Sequence, residues 1–174
     1  KVGVVAFPML YPTYPVNGFM ISGVGAPSGK NMFYPPSLKD EINTEIGDYV
    51  TSVGYHDPKY DDEELFLSDL NSFVQNQMKI VKYLLLNKKW DFFLYVFSAT
   101  DWMQHLMWKH IDENHPLYDP ARSPSLKSRF IDFFQNIDSF IADIHNIIGD
   151  DTNLMIVSDH GFGAQDQCFN LAKW

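Results

Sequence analysis

Two pairs of side chains in this sequence each combine a carboxylate with an imidazole, a donor set that suits zinc or a similar divalent ion. Asp101 and His105 follow the apolar run "FLYVFSAT", and Asp159 and His160 follow the apolar run "LMIVS". If a helix begins at Asp101, residues four apart lie on one face, so Asp101 and His105 can bind one ion together. Asp159 and His160 are adjacent and form a second candidate pair.

The positions of the two pairs matter more than either pair alone. In open α/β sheets, ligands bind at the carboxyl ends of the strands, and both pairs follow runs that predict buried strands. Two ions held there, roughly 4 Å apart, would suit phosphoryl transfer. A single Asp–His step is more often a cap or a turn, but two pairs at two strand ends favour metal binding. Gly161 and Gly163 are expected to let the backbone turn sharply without a Cβ clash.

The elements that must position these pairs alternate along the chain. Runs that are rich in valine, or apolar on both faces, predict three strands, over residues 2–7, 90–100 and 152–161. Amphipathic periodicity predicts a short helix from Pro36 to about Gly47 and two long helices over 61–88 and 125–148. The inner stripe of the last helix is predicted to contain Phe130, Phe134, Ile137, Ile141, Ile144 and Ile148. This alternation predicts an α/β fold, a three-layer αβα sandwich with a mostly parallel sheet.

The Pro-, Gly- and Tyr-rich stretch 8–36 shows no hydrophobic period and is interpreted as a long structured loop. Long loops in compact domains are often functional. Its segment "YPTYPVNGFMISG", residues 11–23, has two equally good interpretations: it lines the cleft and contacts a substrate base or sugar, or it is a packed surface loop.

Composition limits the function classes. The chain has 174 residues and a formal net charge of −9, which argues against binding a nucleic-acid polymer. No apolar run reaches the roughly 18 residues of a membrane span. The single cysteine, Cys168, excludes an internal disulfide.

The two ends of the chain bear on its domain organisation. It opens at Lys1 in a strand-like run and stops in "FNLAKW", which predicts the first turns of a helix. We therefore expect residues 1–174 to be a single partial catalytic domain, the central part of a longer polypeptide. A cytoplasmic location is favoured, and the oligomeric state is left open.

The other histidines are given less weight as ligands. His110 and His115 follow His105 at five-residue intervals, which leaves the first helix face, so both are expected to be surface or loop residues. His56 and His145 are expected to have no special role. The acidic run 61–64 is interpreted as a solvated helix start rather than a calcium site.

The segments that carry the metal pairs resemble a known family. "SDHGFG" and "TDWMQHLMW", together with "YPTYPVNGFMISG", "FYPPSLKDEI" and "FNLAKW", are similar to the type I phosphodiesterase/nucleotide pyrophosphatase branch of the alkaline phosphatase superfamily. The resemblance implies an alkaline phosphatase-like fold, truncated here at both ends. It also implies a metal-dependent hydrolase of phosphodiesters or nucleotide pyrophosphates, with a covalent phospho-enzyme and two divalent ions, zinc or alternatively manganese. The substrate would be a small phosphoester or a nucleotide.

Residue roles follow from the same resemblance. Asp101 and His105 would bind one zinc with a further histidine, and Asp159 and His160 the second zinc with an aspartate from an earlier segment. The family's Thr or Ser nucleophile lies ahead of the region that this chain covers, and its last histidine lies beyond it. Hydroxyls close to the ligands, those of Ser98, Thr100 and Ser158, do not occupy the nucleophile position. The chain alone is therefore expected to bind metal weakly and to be inactive.

Two other functions remain open. One is a different member of the same superfamily, such as a phosphomonoesterase, a mutase or a sulfatase, which would share the "DHG" corner. The other is a catalytically silent α/β interaction module in which the Asp/His pairs are structural.

Overall fold

Strands and helices alternate along most of the chain. The computed structural model describes residues 1–27, 29–164 and 171. The strands of this part are β1 (Val2–Phe7), β2 (Gly18–Ser22), β3 (Phe33–Tyr34) and β4 (Phe92–Tyr95). Its α-helices are α1 (Ser37–Glu45), α2 (Glu63–Asn87), α3 (Ala99–Met107) and α4 (Ser123–Ile148). Short 3-10 helices occupy Lys30–Met32, Pro58–Asp61 and Trp108–His110.

The sheet has the order β3-β2-β1-β4 and is mostly parallel. β1 pairs in parallel with β2 on one side, from Val2 opposite Gly18, and with β4 on the other, from Val2 opposite Phe92. Among the strands of the described residues, β3 alone runs antiparallel, against β2. The carboxyl ends of β1, β2 and β4 therefore meet at one edge of the sheet, as the sequence pattern predicted for an α/β fold.

The helices follow from ordinary sequence signals. Asp62 caps α2 by accepting hydrogen bonds from the backbone N–H groups of Glu64 and Leu65, at 3.1 and 3.2 Å. The predicted inner face of α2 is buried, with Leu70 and Val74 each 1% exposed. The short predicted helix is α1, with Pro36 at its N-cap. None of the helices in the described residues has the length and hydrophobicity of a membrane span.

Two predictions about strands were incomplete. The predicted loop 8–36 contains β2 and β3, whose runs "GFMIS" and "FY" are too short to show a period. The predicted strand 90–100 is confined to Phe92–Tyr95, because α3 already begins at Ala99.

The apolar stripe of α4 is also displaced from its predicted position. The buried apolar residues of this helix are Leu126, Phe133 and Phe140, whereas the predicted stripe is only partly buried. Apolar residues cover a wider arc of α4 than the surface that α2 and α3 bury. Periodicity alone therefore could not predict which residues lie at the centre of the buried face. The predicted helix in "FNLAKW" lies outside the described residues, apart from Leu171.

A close approach between β1 and β2 at their carboxyl ends gives a testable prediction. A Cβ built on Gly23 would lie 2.0 Å from the carbonyl oxygen of Ala6. We expect Gly23→Ala to push the two strand ends apart and to lower the free energy of unfolding by about 1–3 kcal/mol, measured by urea denaturation. The control is Gly163→Ala, because a Cβ there meets no atom within 4 Å. Equal stability of the two variants would contradict the prediction.

Candidate metal centre at the carboxyl edge of the sheet

Asp101 and His105 lie on α3, which follows β4 after a link of three residues. Asp101 is in the first turn of this helix and His105 in the last. The opposite side of α3 is buried in the core through Trp102, Met103 and Met107. The two polar side chains therefore lie on the outer stripe, and His105 Nε2 is 3.4 Å from Asp101 Oδ1. The predicted (i, i+4) pair is present.

The segment after α4 brings His160 to the same place. His160 Nε2 lies 3.8 Å from Asp101 Oδ1 and 3.8 Å from Asp159 Oδ1. The side chain of Asp159 is 91% exposed, and it contacts this group through His160. Asp101, His105 and His160 thus share one location, with Asp159 at its outer side.

The strand predicted to deliver Asp159 and His160 is not formed. Residues 153–158 make no ladder hydrogen bonds, and Met155 and Val157 are 83% and 80% exposed. The prediction of a buried strand over 152–161 is therefore wrong for this structure. The segment is apolar, as a strand would be, but it does not pair with β4. In the described part of the chain, the edge of β4 that faces away from β1 has no neighbouring strand.

The steric role predicted for the glycines after His160 is also wrong. A Cβ at Gly161 or Gly163 would meet no atom within 4 Å, and neither residue has a left-handed backbone conformation. The turn after the histidine is shaped instead by polar contacts. The Ser158 hydroxyl donates to the His160 carbonyl oxygen at 2.6 Å, and His160 Nδ1 lies 2.9 Å from the carbonyl oxygen of Gly161.

The local charges affect the ionisation of His160. The hydrogen bond to the Gly161 carbonyl raises the pKa of His160, and the carboxylates of Asp159 and Asp101 raise it further. A metal ligand must be deprotonated, so a proton on this imidazole competes with a metal ion.

The carboxylate and imidazole donors are of types that bind a divalent ion, but the described residues do not form a complete set of ligands. Within residues 1–27, 29–164 and 171, no three Asp, Glu, His or Cys side chains are arranged so that they could hold a metal ion. The structure presents two pairs of donors, each an oxygen and a nitrogen. The roles of Asp101, His105, Asp159 and His160 as ligands remain predictions.

Two aromatic side chains frame His105, and sequence reasoning missed both. The Tyr55 ring stacks on the His105 ring with centroids 5.5 Å apart and planes at 15°. Phe162 approaches His105 edge-on from 4.8 Å. Burial raises the pKa of Tyr55, and the nearby charge of Asp101 raises it further. Tyr55 is 50 residues from His105 in the sequence, so no local pattern could reveal the contact, whereas Phe162 sits inside the "DHGFG" motif.

Most of the secondary candidates lie where the sequence placed them. His56 and His145 are exposed, and neither lies among the candidate ligands. His110 and Glu63 are the exceptions, since only 2% and 6% of their surfaces are exposed. The prediction that His110 is a surface or loop residue is therefore wrong. The other residues of the acidic run 61–64 are exposed, as predicted for a solvated helix start, but that prediction is wrong for Glu63.

Comparison with known proteins adds the family to this geometry. The family model described as Type I phosphodiesterase / nucleotide pyrophosphatase matches residues 1–174, the whole chain. Comparison with curated proteins and with solved structures gave no significant match. The match agrees with the mostly parallel α/β sheet and with the resemblance of the two Asp/His segments. The chain belongs to the type I phosphodiesterase/nucleotide pyrophosphatase family.

Proposed function

We propose that the chain carries the central part of a metal-dependent hydrolase of phosphodiesters or nucleotide pyrophosphates. The observation that carries the proposal is that the two Asp/His pairs lie next to each other: His105 Nε2 is 3.4 Å and His160 Nε2 is 3.8 Å from Asp101 Oδ1. Membership of the family supports the reaction class. The two-ion centre, the covalent intermediate and the residue roles belong to the proposal.

The residues divide into two ligand pairs. Asp101 and His105 would hold one divalent ion, and Asp159 and His160 the other, with zinc favoured by the mixed oxygen and nitrogen donors and manganese as the alternative. Bound divalent ions lower the pKa of a coordinated hydroxyl and neutralise charge on phosphoryl oxygens. The chain's own contribution is to fix Asp101 and His105 on a helix whose rear face is buried.

The surroundings of the site suit a small substrate with an aromatic or nucleoside portion. Tyr55 and Phe162 are half-buried aromatic residues in contact with His105, and a nucleobase packs well against an aromatic surface of this kind. The formal net charge of −9 makes an extended polyanion a poor partner. A nucleotide or another small phosphodiester is therefore the favoured substrate class.

The chain alone is proposed to lack turnover. The hydroxyls near the ligands have structural partners: Thr100 donates to the Phe97 carbonyl oxygen at 3.1 Å, and Ser158 to that of His160 at 2.6 Å. As the family resemblance implies, the nucleophile and two further ligands would come from parts of a longer polypeptide.

The test compares the 174-residue chain with that longer polypeptide in the presence of Zn²⁺. The substrates are bis(4-nitrophenyl) phosphate, 4-nitrophenyl phosphate and 4-nitrophenyl sulfate. We expect the chain to bind Zn²⁺ without turnover, and the longer polypeptide to prefer the diester. Turnover by the chain above buffer would overturn the placement of the nucleophile, and a preference for the monoester or sulfate would favour another superfamily reaction. Absence of Zn²⁺ and Mn²⁺ binding by both would favour the silent interaction module.

A further inference from the structure

Three helix ends meet at the buried carboxylate of Glu63. Glu63 is the first residue of α2, and Ser123 is the first residue of α4. The third end is the 3-10 helix Trp108–His110, which continues α3 directly. Glu63 and His110 are only 6% and 2% exposed, and Ser123 is fully buried. None of these groups belongs to the candidate metal centre.

The contacts at this junction involve every polar atom of the carboxylate. Oε1 of Glu63 lies 2.6 Å from Lys109 Nζ and 2.9 Å from His110 Nε2. Oε2 accepts a hydrogen bond of 2.7 Å from Arg122 Nη2. Burial alone would raise the pKa of Glu63, but the hydrogen bonds from Lys109 and His110 outweigh it and the pKa is lowered. Glu63 is thus a buried, ionised acceptor with three donors.

The hydrogen bonds also define the tautomer of His110. A carboxylate can only accept, so His110 Nε2 must carry a proton. Ser123 Oγ lies 2.9 Å from His110 Nδ1 and accepts the backbone N–H of Asp119 at 3.2 Å. With the Ser123 hydroxyl donating to Nδ1, all of these groups are paired.

This Ser–His–Glu chain is not a second catalytic site. A nucleophile must reach a substrate, and Ser123 is completely buried. Its hydroxyl is also held on both sides, by His110 and by the Asp119 N–H group. The network is a structural junction that holds the ends of three helices together.

The helix that it holds is the one that carries the candidate ligands. The amino end of α3 is tied to β4 by a three-residue link, and its carboxyl end passes directly into Lys109 and His110. Asp101, His105 and Lys109 follow one another at four-residue intervals along this element. The contacts of Lys109 and His110 with Glu63 therefore fix the end of the helix next to His105.

We propose that Glu63 is a positioning residue for the metal centre: through Lys109 and His110 it sets the orientation of α3 and hence of His105. The proposal rests on the proposed function, since it assigns an effect on metal binding to a residue that touches no ligand. Groups that orient metal ligands commonly change affinity about 10- to 100-fold when removed. Glu63 acts one step further away, so we expect the lower end of that range.

The test uses Glu63→Gln, with Glu64→Gln as the matched control. Glutamine keeps the shape of Glu63 but turns an N–H group toward Arg122 or Lys109, so one attractive contact becomes repulsive. Glu64 is the next residue, has the same charge and pairs at the surface with Arg129. Both variants are compared with the parent chain in two measurements.

The first measurement is made without metal. The ring resonances of His105 in NMR report its stacking on Tyr55, which lies 5.5 Å away in the structure. We expect Glu63→Gln to shift them and Glu64→Gln to leave them unchanged. The second is a Co²⁺ titration followed by visible absorption, in which Glu63→Gln should bind about tenfold more weakly and with an altered spectrum.

A second pair of variants covers the case in which Glu63→Gln does not fold. Lys109→Met removes one donor and leaves Glu63 paired with His110 and Arg122. Its control is Lys82→Met, because Lys82 is about as exposed as Lys109 and pairs with Asp143, which lies at the surface, between α2 and α4. We expect the first variant to shift His105 and weaken Co²⁺ binding, and the second to do neither.

The outcomes separate the two proposals. Parent-like His105 resonances and Co²⁺ affinity in folded Glu63→Gln, or in Lys109→Met if Glu63→Gln does not fold, would overturn the positioning role while leaving the proposed function intact. Failure of the parent chain to bind Co²⁺ would count against the proposed metal centre, and the His105 resonances would still decide whether Glu63 orients α3.

Discussion

Replacing Asp101 with asparagine is expected to weaken Zn²⁺ binding by the chain at least about tenfold. Asp101 is the central donor of the candidate site, because its Oδ1 atom lies 3.4 Å from His105 Nε2 and 3.8 Å from His160 Nε2. Asparagine keeps the side-chain shape but removes the negative charge, and a neutral amide oxygen is a weaker ligand for zinc than a carboxylate.

The measurement is a competition titration of Zn²⁺ against a chromophoric chelator. Asp138→Asn is the control, since Asp138 is exposed on α4 and its replacement changes the net charge by the same amount. If both variants bind Zn²⁺ like the parent chain, Asp101 is not a ligand. If both lose affinity equally, the effect is one of net charge and not of coordination.

Replacing Met103 with alanine is expected to lower the free energy of unfolding by about 2–5 kcal/mol. Met103 is fully buried on the rear face of α3, so truncation leaves a cavity behind the candidate ligands. A loss of this size is a large part of the roughly 5–15 kcal/mol that stabilises a typical domain.

Met103→Leu is the matched control, because it keeps the apolar volume and is expected to cost less than about 1.5 kcal/mol. Urea unfolding of the two variants gives both values. A loss of under 1 kcal/mol for Met103→Ala would show that this face of α3 is less tightly packed than the structure indicates.

The sequence predicted the elements whose signals are long and local. α2 shows its cap and its buried face over 25 residues, and β1 is a valine-rich run with Gly3 as its one interruption. β2 and β3 are too short to show a period, and their place in the sheet depends on pairing partners distant in the chain. The segment 153–158 has the composition of a strand, but composition does not determine whether a strand finds a neighbour.

The candidate site was predictable only in part for the same reason. The (i, i+4) relation of Asp101 and His105 is local, and the structure contains it. The stacking of Tyr55 on His105 and the burial of His110 against Glu63 join residues about 50 positions apart. The five-residue spacing correctly predicted that His110 lies on a different face from His105. The spacing did not indicate that His110 would be buried against the Glu63 carboxylate.

The unpaired segment 153–158 has a consequence for the behaviour of the chain in solution. Its backbone N–H and C=O groups, and those along the free edge of β4 in the described part of the chain, have no ladder partners. Apolar side chains such as Met155 and Val157 accompany them on the surface. An exposed apolar strand sequence and an open sheet edge are templates for intermolecular β-pairing. We therefore expect the 174-residue chain to self-associate through this segment as its concentration rises, which sedimentation velocity at increasing concentrations would detect.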